Sequence, residues 1–161
     1  MTTTTEQAPE ASAVPFGEKK RRALVCDADP AAQKFFTSAF AAMHYDIDVA
    51  TTIEELIENV KYNQYSFVVL RDTFPPNPKG ENEALLYFLD MPPSVRRNTY
   101  LMLYGQSYTT LDSFTAFALS VDAVINIRDM QHFASIAEGG ITEHDRFIKP
   151  LRDAFYRSGK L

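Results

Sequence analysis

Short unbroken apolar runs alternate along the chain with stretches whose apolar residues recur every three or four positions. Ala23–Cys26 is such a run, too short for a helix, and predicts a buried strand. It leads into Asp27-Ala28-Asp29-Pro30, where Asp29 suits an N-cap and Pro30 a first helical position, whose missing N–H costs nothing. Phe35, Phe36, Ala39, Phe40 and Met43 follow at helical spacing and predict a stripe lying on a sheet. Tyr45–Val49 predicts a second strand, and Thr52-Ile53-Glu54-Glu55 a capping box opening a helix that buries Leu56, Ile57 and Val60. Ser66–Leu70 lacks alternation, as a central parallel strand covered on both faces should. Glu81–Leu89 has helical spacing and is stopped by Pro92-Pro93. Thr99–Tyr104 predicts strand four, Thr109–Leu119 a helix with Leu111, Phe114, Phe117 and Ala118 as its stripe, and Ala123–Ile127 strand five.

Strand followed by helix, five times over, implies a parallel sheet with helices on both faces, and right-handed crossovers make it doubly wound. After the fifth strand, Phe133, Ala137, Gly140, His144, Phe147, Leu151 and Phe155 keep one apolar face in phase well beyond the length needed to cover a sheet. Gly139-Gly140 and Pro150 predict a break or kink in that helix, with Thr142 placed to cap a restart. The N-terminal stretch is rich in Thr, Ala, Pro and Glu without periodicity and predicts disorder. The chain thus divides into a tail at 1–20, a domain at 21–138 and a helical extension at 139–161.

Length and composition agree: 161 residues, 45% apolar and 23% charged, suit one ordinary globular domain. No apolar run approaches the roughly 20 residues that span a bilayer, and no secretory h-region precedes the first strand, so a cytoplasmic protein away from the membrane is expected. A formal charge of −5 gives no footprint for nucleic acid and favours a protein partner. The basic run Lys19-Lys20-Arg21-Arg22 reads as a solvated lead-in, with a small anionic docking patch as its alternative, and Arg96-Arg97 as a solvated pair or a contact face. Cys26 cannot form an internal disulfide and, inside a strand beside Asp27, reads as a small hydrophobe rather than a redox sensor. His44, His132 and His144 have no cysteine partner at metal-site spacing, so neither a metal nor a cofactor is expected. No nucleophile elbow, phosphate loop or dinucleotide fingerprint supports catalysis.

Ligands of open parallel sheets bind at the C-terminal strand ends, which here carry Asp27-Ala28-Asp29, Arg71-Asp72, Tyr104-Gly105 and Asn126-Ile127. Val25-Cys26-Asp27-Ala28-Asp29-Pro30, Tyr65–Arg71 followed by Pro75, and Ser120–Ile125 together resemble a response-regulator receiver domain, the flavodoxin-like phosphoacceptor module of bacterial signalling. The resemblance implies an acidic pair after strand one that holds Mg²⁺, a phosphoacceptor aspartate ending strand three, a Ser or Thr ending strand four and a Lys ending strand five. Asp27 matches the first acid. The second falls on Ala28, the phosphoacceptor on Arg71, the hydroxyl on Tyr104 and the lysine on Ile127. A guanidinium is neither nucleophile nor cation ligand. The expectation is therefore a degenerate receiver that takes up no phosphate and acts by protein–protein contact in signalling or motility. Arg71 is expected to occupy the metal's space paired with Asp27, and Phe147, Leu151 and Phe155 to face a partner or a second copy. A working phosphoacceptor through Asp72 or Asp27, or an unrecognised enzyme, is the alternative.

Overall fold

The computed structural model describes residues 20–75 and 82–159. Five parallel strands, β1 Arg22–Cys26, β2 Asp46–Ala50, β3 Phe67–Arg71, β4 Tyr100–Gly105 and β5 Ala123–Asn126, form one sheet in the order β2-β1-β3-β4-β5. Helices α1 Pro30–Ala42 and α6 Phe133–Arg157 pack on one face. On the other face lie α2 Ile53–Tyr62, α3 Glu83–Leu89 and α5 Ser113–Leu119. A single turn, α4 Pro93–Arg96, starts at the proline pair that was expected only to stop α3, because Pro93 is tolerated in a first helical turn. A 3-10 segment, Ile127–His132, joins β5 to α6.

The capping arithmetic of the sequence is realised in atoms. The Asp29 carboxylate accepts from the Ala31 N–H at 3.2 Å. Thr52 Oγ1 accepts from the Glu55 N–H at 3.2 Å, while the Glu55 carboxylate reaches back to the Thr51 N–H at 2.7 Å, one residue before the cap. Ala23–Cys26, Phe67–Leu70 and all of β4 are buried, and each alternate residue feeds one of two cores. The α1/α6 core is aromatic, with Phe133 edge-on to Phe36 at 5.0 Å and to Phe40 at 5.4 Å between ring centroids.

Three expectations need correction. Helix α5 starts at Ser113 rather than Thr109, and its buried residue is the small Ala116, while Phe114, Phe117 and Ala118 are exposed, as is Leu111 in the loop before it. Three-and-four spacing marks two possible faces on so short a helix, and here size does not choose the inner one. The basic run is a solvated lead-in with surface pairs added: exposed Lys20 pairs with Asp46, Arg21 with Asp145 on α6 and Arg22 with Asp48, while Lys19 lies outside the described residues. Arg96, by contrast, is no free contact residue, since its guanidinium donates to the carbonyls of Thr99 at 2.9 Å and Ser120 at 3.1 Å.

The third correction concerns α6, which runs unbroken for 25 residues through both glycines and Pro150. Pro150 leaves the Arg146 carbonyl without its helical donor, but residue 146 is exposed and water can serve it. Gly140 is there for packing: a Cβ would fall 2.2 Å from the Tyr100 hydroxyl oxygen and 2.6 Å from its ring. Beyond that close approach, His144 Nε2 lies 2.8 Å from the Arg97 carbonyl, Ile148 is buried, and Arg152 donates to Asn98 Oδ1 at 3.2 Å. The helix therefore leans on its own domain as far as Arg152, with Phe147 75% exposed and Leu151 half-buried beside that contact. The Phe155 side chain lies outside the described residues.

The two adjacent glycines should respond with opposite signs. At Gly139 nothing lies within 4 Å of an added Cβ. Gly139→Ala should therefore raise stability by about 0.5–1 kcal/mol through helix propensity alone. Gly140→Ala should lower it by about 1–2 kcal/mol, because overpacking against Tyr100 exceeds the same propensity gain. Denaturant melts of the two variants check this.

Candidate functional site

Parallel register places one side chain from each of three neighbouring strands in a row at the C-terminal edge. Asp27 stands one residue past the Cys26–Leu70 pair, beside Arg71, and Arg71 is itself paired with Tyr104. Ile125 continues the row on β5. The polar edge follows directly from the apolar strands, because the first position where a side chain can reach water is where each strand leaves the core.

Asp27 is 4% exposed. Its Oδ1 accepts from the Asp29 N–H at 2.8 Å, while Oδ2 has no hydrogen-bond partner within the protein. Burial pushes its carboxyl pKa up, and the Asp29 N–H and the Arg71 charge pull partly against that rise. Arg71 does not form the expected ion pair with Asp27. Its Nε lies 3.2 Å from Asp72 Oδ1, close enough for charge attraction, yet no hydrogen bond aligns there, and both atoms are buried without a partner. The guanidinium carbon sits 5.2 Å from the centre of the Tyr104 ring, in cation–π range. The Tyr104 hydroxyl is a further buried orphan, and its ring meets Phe36 edge-on at 5.0 Å.

The remaining expected site residues lie off this row. Asp72, one residue after β3, rests its carboxylate over Gly105, where a Cβ would come within 2.1 Å of Oδ2. It is thereby directed away from Asp27. Ala28 is exposed, and Ile127 is half-buried against the α1/α6 core. Cys26 is fully buried, and burial pushes its thiol pKa up, as a small hydrophobe requires.

The search of solved structures places this architecture. A receiver-domain protein from Methanospirillum hungatei superposes with a TM-score of 0.63 at 15% identity, covering 80% of this chain and 98% of its own. The signal receiver domain of a LuxO-type repressor from Vibrio parahaemolyticus gives 0.64 at 10%, covering 83% and 97%. An orphan response regulator of H. pylori gives 0.58 at 13%, covering 75% and 96%. This chain has the receiver fold. No protein-family model matches it, and no curated protein does.

Receivers of this fold are expected to hold Mg²⁺ between the ends of β1 and β3. The donor set here does not fit that ion. Mg²⁺ wants near-octahedral oxygen, yet Ala28 supplies no side-chain oxygen and Arg71 brings a fixed positive charge to the middle of the row. Among the described residues no group of three His, Cys, Asp or Glu side chains is placed to hold a metal.

Sequence reasoning names Asn126 as a strand end without a role, and misses Thr110 and Asp129. The Asn126 amide donates to the carbonyls of Tyr108 at 2.7 Å and Gln106 at 3.2 Å, and its backbone N–H donates to Thr110 Oγ1 at 2.9 Å. Thr110 in turn donates to Asp129. The Leu111 N–H closes onto the Val124 carbonyl at 2.9 Å, with Leu111 held at φ +62°. That left-handed conformation is strained for a bulky residue. The loop leaving β4 is thus pinned across the edge of β5, beside the position where an active receiver would carry its lysine. The available signal is an amide side chain at the last residue of a strand, one residue past the row of expected site positions.

An unpaired, buried carboxylate makes the sign of one substitution predictable. Because the folded pKa of Asp27 is raised, the stability it contributes is present at low pH and is lost as pH rises above the ordinary carboxylate value. Asp27→Asn keeps the acceptor for the Asp29 N–H and removes the charge. It should melt at higher denaturant than the parent at pH 7, with the gap closing below about pH 4. A loss of stability at pH 7 would instead show that Arg71 pays back the buried charge in full.

Proposed function

We propose that the chain is a pseudo-receiver, a cytoplasmic protein–protein interaction module of bacterial signalling or motility rather than an enzyme or a phosphoacceptor. The observation that carries this reading is Arg71, a guanidinium at the phosphoacceptor position, flanked by Asp27 and Tyr104 in the row of strand-end residues. An attacking carboxylate is missing at the one place from which it would face both Asp27 and a bound cation. Asp72 is turned onto Gly105 instead. At the lysine position Ile127 has no group that pairs with phosphate, and at the hydroxyl position Tyr104 is buried with its ring packed on Phe36. The Asn126–Thr110–Asp129 bonds support a loop fixed in one state, as a module without an input reaction needs.

In this reading residues 21–138 form the receiver body, and the extension at 139–161 carries the contact surface, with Phe147 and Leu151 as its apolar centre and Phe155 on the same helix. Exposure of Phe147 supports it, since an aromatic ring left mostly in water beside a buried Ile148 gains from a partner. The partner is protein and not nucleic acid, in keeping with the net charge of −5.

Incubation with acetyl phosphate and Mg²⁺, followed by intact-mass measurement, tests the absence of phosphotransfer. The expected spectrum is that of the unmodified chain. A phosphorylated species that disappears in Asp72→Ala or Asp27→Ala would overturn the proposal.

A further inference from the structure

Helix α6 runs past the edge of the sheet at which β1 begins. Gly140 packs on Tyr100, the first residue of β4, and from there α6 continues along Arg97 and Asn98, which precede that strand. At the same edge Arg21, just before β1, pairs with Asp145. Residues 1–19, which lie outside the described residues, thus join the body close to Asp145, about one helical turn from Lys149.

The end of α6 has two sides of different chemistry. His144, Ile148 and Arg152, four residues apart, contact the body. Away from it, Arg146, Lys149, Pro150, Asp153 and Arg157 are exposed and line an open groove of about 470 Å³. Asp153 stands four residues from both Lys149 and Arg157, yet among the described residues neither these two cations nor Arg146 has an ion-pair partner. The groove meets a second cavity, of about 370 Å³, at Thr142 and Asp145, which line both. Met43, Tyr45, Phe67 and Ile141 give that cavity an apolar lining, and Arg21 borders it. An apolar cavity therefore leads into a basic groove, and the chain enters where the two join.

The sequence before Lys20 has the same order. Val14 and Phe16, the one aromatic residue of the stretch, come nearest, and Glu10 and Glu6 lie beyond them, with no basic residue before Lys19. An extended chain covers at most about 3.5 Å per residue, so Phe16 stays within about 14 Å of Lys20 and Glu10 within about 35 Å. Arg157 is about 18 Å along the helix from Asp145. The ring thus reaches the near cavity, and the carboxylates reach the far groove.

We propose that residues 6–16 bind back along α6 of their own chain, with the Phe16 ring in the cavity beside Arg21 and with Glu10 and Glu6 against Lys149 and Arg157. Tethering favours this occupant over a separate acidic protein. A linked segment acts at an effective concentration of order mM, so a few contacts too weak to hold a free peptide suffice. The site is separate from the contact surface proposed for α6. Phe147 and Leu151 lie about 100° or more around the helix from Arg146, Lys149 and Pro150, so the docked segment leaves them open.

Nuclear magnetic resonance of the full chain tests the proposal. Cys26 is fully buried, so a nitroxide attached through Ser12→Cys is the one accessible label. It should erase the amide signals of residues 142–157 and spare those of α2 and α5. The erased signals should return in 1 M salt, where screening shortens to about 3 Å. Lys149→Glu with Arg157→Glu should restore them as well, and adding Glu6→Lys with Glu10→Lys should erase them again. Phe16→Ser should weaken the loss. All these substitutions fall on exposed α6 positions or before Lys20, and the rest of the spectrum reports that the body stays folded. Signals of α6 that survive in the parent overturn the proposal, as does a loss indifferent to the charge reversals. A loss that persists when nitroxide and isotope are on different chains also overturns it, because the segment then comes from a second copy. The absence of phosphotransfer and the role of Phe147 and Leu151 stand or fall separately.

Discussion

Strands β1, β3 and β4 have no face open to water, and the rest of the molecule follows from that constraint. Parallel strands buried on both sides require crossover helices on both faces, here α1 and α6 on one and α2, α3 and α5 on the other, and so the order β2-β1-β3-β4-β5 with two separate cores. The same constraint expels polar side chains from the strand interiors and gathers them where the strands end. Asp27, Arg71 and Tyr104 meet because three buried strands leave the core at the same level. A receiver uses that edge for phosphate chemistry; this chain has the edge and a different set of groups on it.

The charges in the row are arranged for permanence. Arg71 supplies a cation that is bonded to the chain and so cannot dissociate or exchange as a metal ion does. It faces a carboxylate that burial already disfavours as an anion and a tyrosine ring that attracts the guanidinium through its face. Several polar atoms there have no protein partner, which makes the edge energetically expensive. The surrounding structure tolerates it because the Asn126 amide and the Thr110–Asp129 bond hold the adjoining loop with well-formed hydrogen bonds.

Features that depend on local chemistry were legible in the sequence. Asp29-Pro30 and Thr52–Glu55 fixed two helix starts by capping alone, and the unalternating run ending at Leu70 marked the central strand. The substitutions at 28, 71, 104 and 127 could be named from position within the resemblance. What could not be seen depends on distant neighbours. Gly140 looked like a helix breaker because its reason, Tyr100, lies forty residues earlier in the chain. Register puts Arg71 beside Asp27 and so predicts that pair, but register does not give the rotamer, which brings Nε to Asp72 and the guanidinium against the Tyr104 ring. On α5 the hydrophobic rule failed outright: Ala116 faces the core and two phenylalanines face water, an inversion that no periodicity reveals.

The uninterrupted course of α6 has a mechanical meaning. Its root, Phe133, touches Phe36, and Phe36 touches Tyr104 in the strand-end row, so a chain of ring contacts joins that row to the base of a rod 25 residues long. Its contacts with Tyr100, Arg97 and Asn98 hold α6 to the body as far as Arg152, so a shift of Phe133 among its neighbouring rings can reach the far end only by sliding that whole line of contacts. A break at Gly139-Gly140 or Pro150 would have uncoupled the two ends; continuity instead ties the last turn, with Tyr156, to the packing of Phe133.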